Sequence, residues 1–235
     1  MVRNDGKASG ERGAVLLILL TALVLAGVAV VLESLPLRSL KTREDRRASE
    51  AMSQAKDALL GYATLRDSNT LGYLPCPDLG TLQGYDGQGD SSACGTLAGS
   101  YVIGFLPWRE LGLSPLRDGS GAPLWYAVSR NFKRTENPTP ASYPAIDAAA
   151  VGGLALAGED FAAVIFAPGD PLSGQSRDPT QTAANLLGQF LEGSNANAPG
   201  STGSFVKLAI SDTFNDRLLG ISPVEVRTAI ARLSP

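Results

Sequence analysis

The chain has 235 residues, 44% hydrophobic and 18% charged, with a formal net charge of −3 and no histidine. That length supports one sizeable core, and an acidic balance without an extended basic patch argues against a nucleic-acid partner. The missing histidine excludes a Ser-His-Asp triad, a Cys-His dyad and every histidine-ligated metal site.

Residues 1–13, MVRNDGKASGERG, form a short polar segment ending in Arg12-Gly13. Directly after it comes AVLLILLTALVLAGVAVVL, Ala14 to Leu32, a stretch without charge. At about 1.5 Å rise per residue it reaches roughly 28 Å as a helix, which predicts one membrane span. It is longer than the apolar core of a secretory signal, about 7–15 residues, although Gly27 and Ala29 offer a signal-peptidase site inside the run. Arg3, Lys7 and Arg12 precede the stretch, and Arg38, Lys41, Arg43, Arg46 and Arg47 follow it. Charge alone would therefore place the C-terminal part in the cytoplasm, but long domains cross largely regardless of loop charge.

From Ser34 the pattern remains helical to about residue 66. Leu37, Leu40, Ala48, Ala51, Met52, Ala55, Ala58, Leu59 and Tyr62 recur mostly at three- and four-residue spacings, which predicts an amphipathic continuation with one face on a core. Pro36 lies inside that pattern and removes a backbone donor, so a kink is expected there. The charges from Arg38 to Glu50 read as a solvated or headgroup-facing surface, with subunit contacts as the alternative.

After about Asp67 the composition turns to Gly, Pro, Ser and Asp between short apolar runs, the start of a head domain. Cys76 and Cys94 are the only cysteines. An isolated pair reads as a disulfide in an oxidising compartment, with two reduced buried thiols as the alternative. Between them, Asp86 and Asp90 flank glycines in a faintly calcium-like loop, which turn chemistry explains equally well. Leu124 to Ser129 and Phe161 to Ala167 are predicted strands, Trp108 and Trp125 core anchors, and Ser204 to Ile210 an alternating strand. Asp178-Pro179-Thr180-Gln181 predicts a helix start, with Ala184, Leu187, Phe190 and Leu191 buried and Gly193 as its stop. Ser222-Pro223-Val224-Glu225 predicts a capped C-terminal helix burying Val226, Ile230 and Leu233. The expected fold class is α+β: a long N-terminal transmembrane-plus-amphipathic helix packed on a small, mainly antiparallel sheet with extra helices.

Two patterns look catalytic. Ser53-Gln54-Ala55-Lys56 matches S-x-x-K, but no S-D-N or K-T-G box follows and the motif sits on the shoulder of the long helix. The carboxylate pairs Glu159-Asp160 and Asp212-Asp216 are read as solvated surface.

The junction RG|AVLLILLTALVL resembles the leader and first helix of type IV prepilins and pseudopilins. The resemblance implies prepilin-peptidase cleavage after Gly13 and methylation of Ala14. Most pilins carry a glutamate at the fifth mature position, here Ile18; the pseudopilin lacking it sits at a filament tip, whereas the plainer reading of Ile18 is a lipid-facing residue. A proline near Pro36 is also frequent in that family. The ordered blocks LPCPD, LPWRELGL, DG-G, LWYAVS, AVIFAPG, LEGSN and FNDRLLGIS resemble the head of pilin-like minor subunits of type II secretion and type IV pilus systems in Gram-negative bacteria.

The resemblance implies a leader at 1–13, a helix at 14–66 and a periplasmic head at 67–235. It further implies a non-enzymatic filament subunit in the inner membrane, with a single pass and a cytoplasmic N-terminus. Its partners would be other pilins, the prepilin peptidase and the inner-membrane assembly platform, with no cofactor beyond an optional calcium. The alternative is a single-span, membrane-anchored periplasmic binding or scaffold protein that does not polymerise.

Overall fold

A computed structural model describes residues 9–64, 71–80, 85–96, 99–133, 152–178, 181–197 and 203–232, without the side chains of 9–13, 29–40 and 95–96. The boundary expected near residue 66 and the residues Pro179, Thr180 and Leu233 lie outside it. Two compact units are present, Met1–Asp45 and Arg46–Pro235.

In the first unit, helix α1 (Ser9–Thr64) begins and continues through Pro36, whose side chain is outside the described residues. Its six consecutive residues Val15 to Leu20 are 58% to 68% exposed, so apolar side chains point outward all round the helix. The hydroxyl of Thr21 donates to Ile18 O at 2.9 Å, so the polar group in this stretch is satisfied locally. The expectation of a transmembrane helix is overturned here. Among the described residues no helix is long and apolar enough to cross a membrane. The described apolar side chains cover 14–28, about 22 Å of helix against a hydrocarbon core of about 30 Å. The single-pass inner-membrane placement, with a cytoplasmic N-terminus and a periplasmic head, falls with the span on which it rested.

The second unit is an α+β domain. Residues 46–64 of α1 bury Ala48, Ala51, Met52, Ala55, Leu59, Tyr62 and Ala63, the three-and-four spacing of an amphipathic helix. All of these but Tyr62 pack in one cluster with Leu74, Tyr126, Val128, Ile165, Ile221 and Val226. The sheet beneath has the order β1 (Tyr101–Phe105), β2 (Trp125–Ser129), β5 (Ala163–Ala167), β7 (Arg217–Ile221). Every pairing in it is antiparallel, with Phe105 opposite Trp125, Trp125 opposite Phe166 and Ala167 opposite Arg217. The strands β1, β2 and β5 are buried along their whole length, which explains why they read as continuous apolar runs rather than alternations.

The other sheet face carries a second cluster in which Phe105, Trp125, Phe166 and Leu218 meet helix α3 (Ala183–Phe190). Trp125 is the expected anchor, fully buried and 5.4 Å from Phe190 between ring centroids. Trp108 is only half-buried, beside Gly87, where a Cβ would collide with the indole and φ is +84°. A small sheet, with β3 (Leu154–Leu156) between β4 (Glu159–Phe161) and β6 (Ser204–Phe205), includes one parallel pairing. A short helix α2 (Ser91–Thr96) holds Cys94.

Helix α4 (Pro223–Ala231) starts as expected: Glu225 N donates to Ser222 Oγ at 3.2 Å and Ser222 N to Glu225 Oε2 at 2.9 Å, a complete capping box. Lys56 of α1 joins this end of the domain, donating to Gly220 O at 2.9 Å and pairing with Glu225 Oε1 at 2.6 Å. Burial pushes the Glu225 carboxyl up, but the bonds from Lys56 and Ser222 outweigh it and hold the group below its ordinary pKa. Lys56 is therefore a clamp between helix and sheet edge, which disposes of the S-x-x-K reading, and Ser53 is exposed. Lys56→Met should lower stability by about 1–2 kcal/mol in urea unfolding, since it strands a strand carbonyl and a carboxylate.

Candidate functional site

The expected disulfide is present: Cys76 and Cys94 are bonded, and both are fully buried. Around it the loop is built by carboxylates accepting backbone N–H groups. Asp78, 2% exposed, takes Gly80 N at 2.9 Å and Gly87 N at 2.7 Å. Burial raises its pKa to about 6 against the pull of those bonds, with Asp90 and Asp86 adding to the rise. Lys133, also buried, donates from Nζ to Cys94 O at 2.5 Å, and burial lowers its pKa.

Asp86 and Asp90, the calcium candidates, are engaged in the same local chemistry. Asp86 Oδ1 accepts Gln88 N at 2.8 Å and Asp90 Oδ2 accepts Leu79 N at 2.6 Å. Among the described residues no group of three His, Cys, Asp or Glu side chains is placed to hold a metal ion. Asp160, in β4, is likewise engaged locally, its carboxylate accepting Gly152 N and Gly153 N. Asp212 is exposed while Asp216 is buried, so that pair is not the solvated surface expected of it.

The site that sequence reasoning missed lies where β5 ends and β7 begins. Asp118 Oδ1 accepts Ser120 N and Ala122 N, both at 2.9 Å, and its Oδ2 accepts Gly169 N at 2.7 Å, tying the β1–β2 connection to the end of β5. Arg177 donates to Gly169 O at 2.7 Å, Gln189 O at 3.1 Å and Gln175 Oε1 at 3.3 Å, with its guanidinium 4.6 Å from the Phe190 ring centroid. Burial lowers the Arg177 pKa, opposed by Asp118, Glu192, Asp216 and Asp170.

Next to it, Glu192 and Asp216 clasp each other's backbone. Glu192 N donates to Asp216 Oδ2 at 3.0 Å, and Asp216 N to Glu192 Oε2 at 3.2 Å. Asn215 N and Gln175 Nε2 also donate to the Glu192 carboxylate, at 3.1 and 2.9 Å. Asn195 Nδ2 completes the pair with a 2.9 Å bond to Asp216 Oδ2, and the Asn195 amide also bonds both backbone groups of Val206. Asp216 is 2% exposed. Burial raises its pKa from 3.8 to about 8 despite the bonds from Glu192 N and Asn195, and the neighbouring Glu192 charge pushes the same way.

The blocks DGSG, APGD, LEGSN and FNDR thus converge on one polar network. Each reads as a turn when taken alone, and only their convergence marks a site. A comparison with known proteins finds no family model, curated protein or solved structure that matches the chain. The pilin-like resemblance therefore rests on the sequence blocks themselves.

Against the network lies a groove of about 420 Å³ whose lining includes Leu172, Gln175, Gly188, Leu191, Glu192 and Asp212. Of the two acids in its lining, Asp212 is exposed and Glu192 is buried with its carboxylate held by the network.

Proposed function

We propose that the chain is a non-enzymatic, pilin-like filament subunit of the minor pseudopilin or minor pilin kind, which assembles through the N-terminal part of α1. The observation that carries this reading is the exposed run Val15 to Leu20, continued by Leu23, Val24, Leu25 and Val28. A helix apolar on every side is costly in water and calls for cover on every side, which sibling helices in a bundle provide. Ile18 in place of the usual glutamate suits a tip or initiating position, and Gly13-Ala14 would be the processing site.

The Gly13–Ala14 bond lies within α1, so a peptidase must first unwind the opening turns, which glycine eases by about 1 kcal/mol relative to alanine. Co-expression with a prepilin peptidase, followed by intact mass and N-terminal sequencing, should show loss of 1–13 and a methylated Ala14. An N-terminus that stays at Met1 in the presence of active peptidase would sink the reading. A binding or scaffold protein that does not polymerise is the second reading, and the open groove beside α3 is the feature that favours it.

A further inference from the structure

The stretch after β6 is written as a strand, yet among the described residues no strand lies beside it. Lys207, Leu208, Ala209 and Ile210 include none of the Gly, Pro, Asn or Asp that turns prefer, all four are exposed, and no helix, turn or bend forms there. Leu208 and Ile210 are 58% and 54% exposed, while the other described large apolar side chains of the second unit, Val224 apart, are buried or half-buried. Both ends of the stretch are fixed. Val206 N donates to Asn195 Oδ1 at 2.9 Å and Val206 O accepts Asn195 Nδ2 at 3.1 Å, while Ser211 N donates to Phe214 O at 2.8 Å. Between them, the backbone N–H and C=O groups of Lys207 to Ile210 meet no hydrogen-bond partner among the described residues. The neighbour of β6, β3, stops at Leu156 and turns away through Ala157 and Gly158, both at positive φ. Strand alternation with unpaired backbone groups is a template for another strand.

We propose that this stretch pairs antiparallel with the same stretch of a second copy of the chain, about a two-fold axis at Ala209. Across such a pair, positions equally far on either side of the centre face each other on the same side of the sheet. Centred on Ala209, Leu208 meets the partner's Ile210 and Ile210 meets the partner's Leu208, so four exposed apolar side chains cover one another. The small Ala209 stands on the axis, where each side chain faces its own copy. Lys207 faces Ser211, and the Lys207 end of each copy lies by the Asp212 end of the other, which complements charge. A parallel pairing in register would instead set Lys207 against Lys207 and Asp212 against Asp212. Centring on Ile210 would put Leu208 against the Asp212 carboxylate. Centring on Leu208 would run the partner onto Val206, whose N–H and C=O are taken by Asn195. So short a pair buries well under the roughly 1,200 Å² of a lasting interface, so the contact between heads is weak and reversible. It uses the head alone and holds whether or not α1 assembles.

The test is disulfide trapping in the full chain. Cys76 and Cys94 are bonded to each other and buried, so a single introduced cysteine is the one free thiol. Under copper-phenanthroline oxidation, Ala209→Cys should form a disulfide-linked dimer several-fold faster than Ser173→Cys, an exposed position elsewhere on the head. Directly opposed strand residues have Cα atoms about 4.5–5.5 Å apart, within disulfide reach. Leu208→Cys should dimerise slowly by itself and faster when mixed with Ile210→Cys, the position it faces. Adding Ile210→Asp to Ala209→Cys should slow the cross-link several-fold with the melting temperature unchanged, since Ile210 is exposed. Association through α1 alone would bring heads together without register and give equal rates for the Ser173, Leu208 and Ala209 variants. Equal rates, or an Ala209→Cys dimer that Ile210→Asp does not slow, would each overturn the strand pairing, and neither result bears on the reading of α1.

Discussion

Replacing both Cys76 and Cys94 by alanine should lower the stability of the head by about 3 kcal/mol, the loop-closure contribution expected for a cross-link between residues 18 apart in sequence. The effect has a local component because both cysteines are fully buried and the loop between them carries the Asp78 and Asp90 turns. Without the cross-link, the N–H groups of Gly80 and Gly87 that Asp78 now receives lose their fixed partner for a larger share of the time. Urea unfolding of the oxidised native chain and the double variant would read the global loss as a shift in midpoint. Hydrogen exchange at Gly80 and Gly87 would read the local one. A midpoint shift worth less than about 1 kcal/mol would mean that the burial around Leu74, Tyr126 and Lys133 holds the loop without the covalent link.

That cross-link was legible in the sequence because two cysteines without histidine or further thiols leave few other uses. The buried face of α1 from Ala48 to Tyr62 was legible for an equally local reason, since helical periodicity is written in consecutive turns. The same holds for the strands ending at Ser129 and Ala167 and for the Ser222 capping box. The start of α3 was not legible. Asp178 looks like the better cap, but the helix begins after Thr182, where Ala183 N donates to Leu79 O and no side-chain cap bond forms. This shift moves the buried face to Ala183, Leu186, Leu187 and Phe190 and leaves Ala184 exposed. The alternation from Ser204 to Ile210 yields a strand only at Ser204–Phe205, because β3 is three residues long and offers no further partner. The apolar run at 14–32 invited a membrane reading on composition alone, and among the described residues that reading does not stand. Least legible was the network of Asp118, Gly169, Arg177, Glu192, Asn195 and Asp216. Its members are spread along the chain from residue 118 to residue 216, and each segment hydrogen-bonds as a plausible isolated turn.

Asp216 should make the protein lose stability as the pH rises from about 6 to 8, a direction opposite to that of a salt-bridged carboxylate. Burial lifts its folded pKa from 3.8 to about 8. Between those values the folded state holds a proton that the unfolded state has released, so each unit of pH rise weakens folding, by up to about 1.4 kcal/mol. Below the unfolded value both states are protonated, above the folded value neither is, and the slope vanishes at both ends. Asp78, raised to about 6, adds a slope of the same sign only below that pH. Glu225 is held low and favours folding as the pH rises, but it acts only in the acid range. The chain has no histidine and both cysteines are bonded, so neither residue type adds to the slope from pH 6 to 8. Asp216→Asn should flatten the slope there. The amide oxygen can still accept Glu192 N and Asn195 Nδ2, while the amide N–H₂ replaces the proton with a permanent donor toward Glu192. The variant should therefore match the native chain only below about pH 4 and exceed it by a growing margin up to about pH 8, as read by melting temperature at matched ionic strength. Parallel curves for the two proteins would show that Asp216 is ionised in the folded state and that the pair draws its stability from the backbone clasp alone.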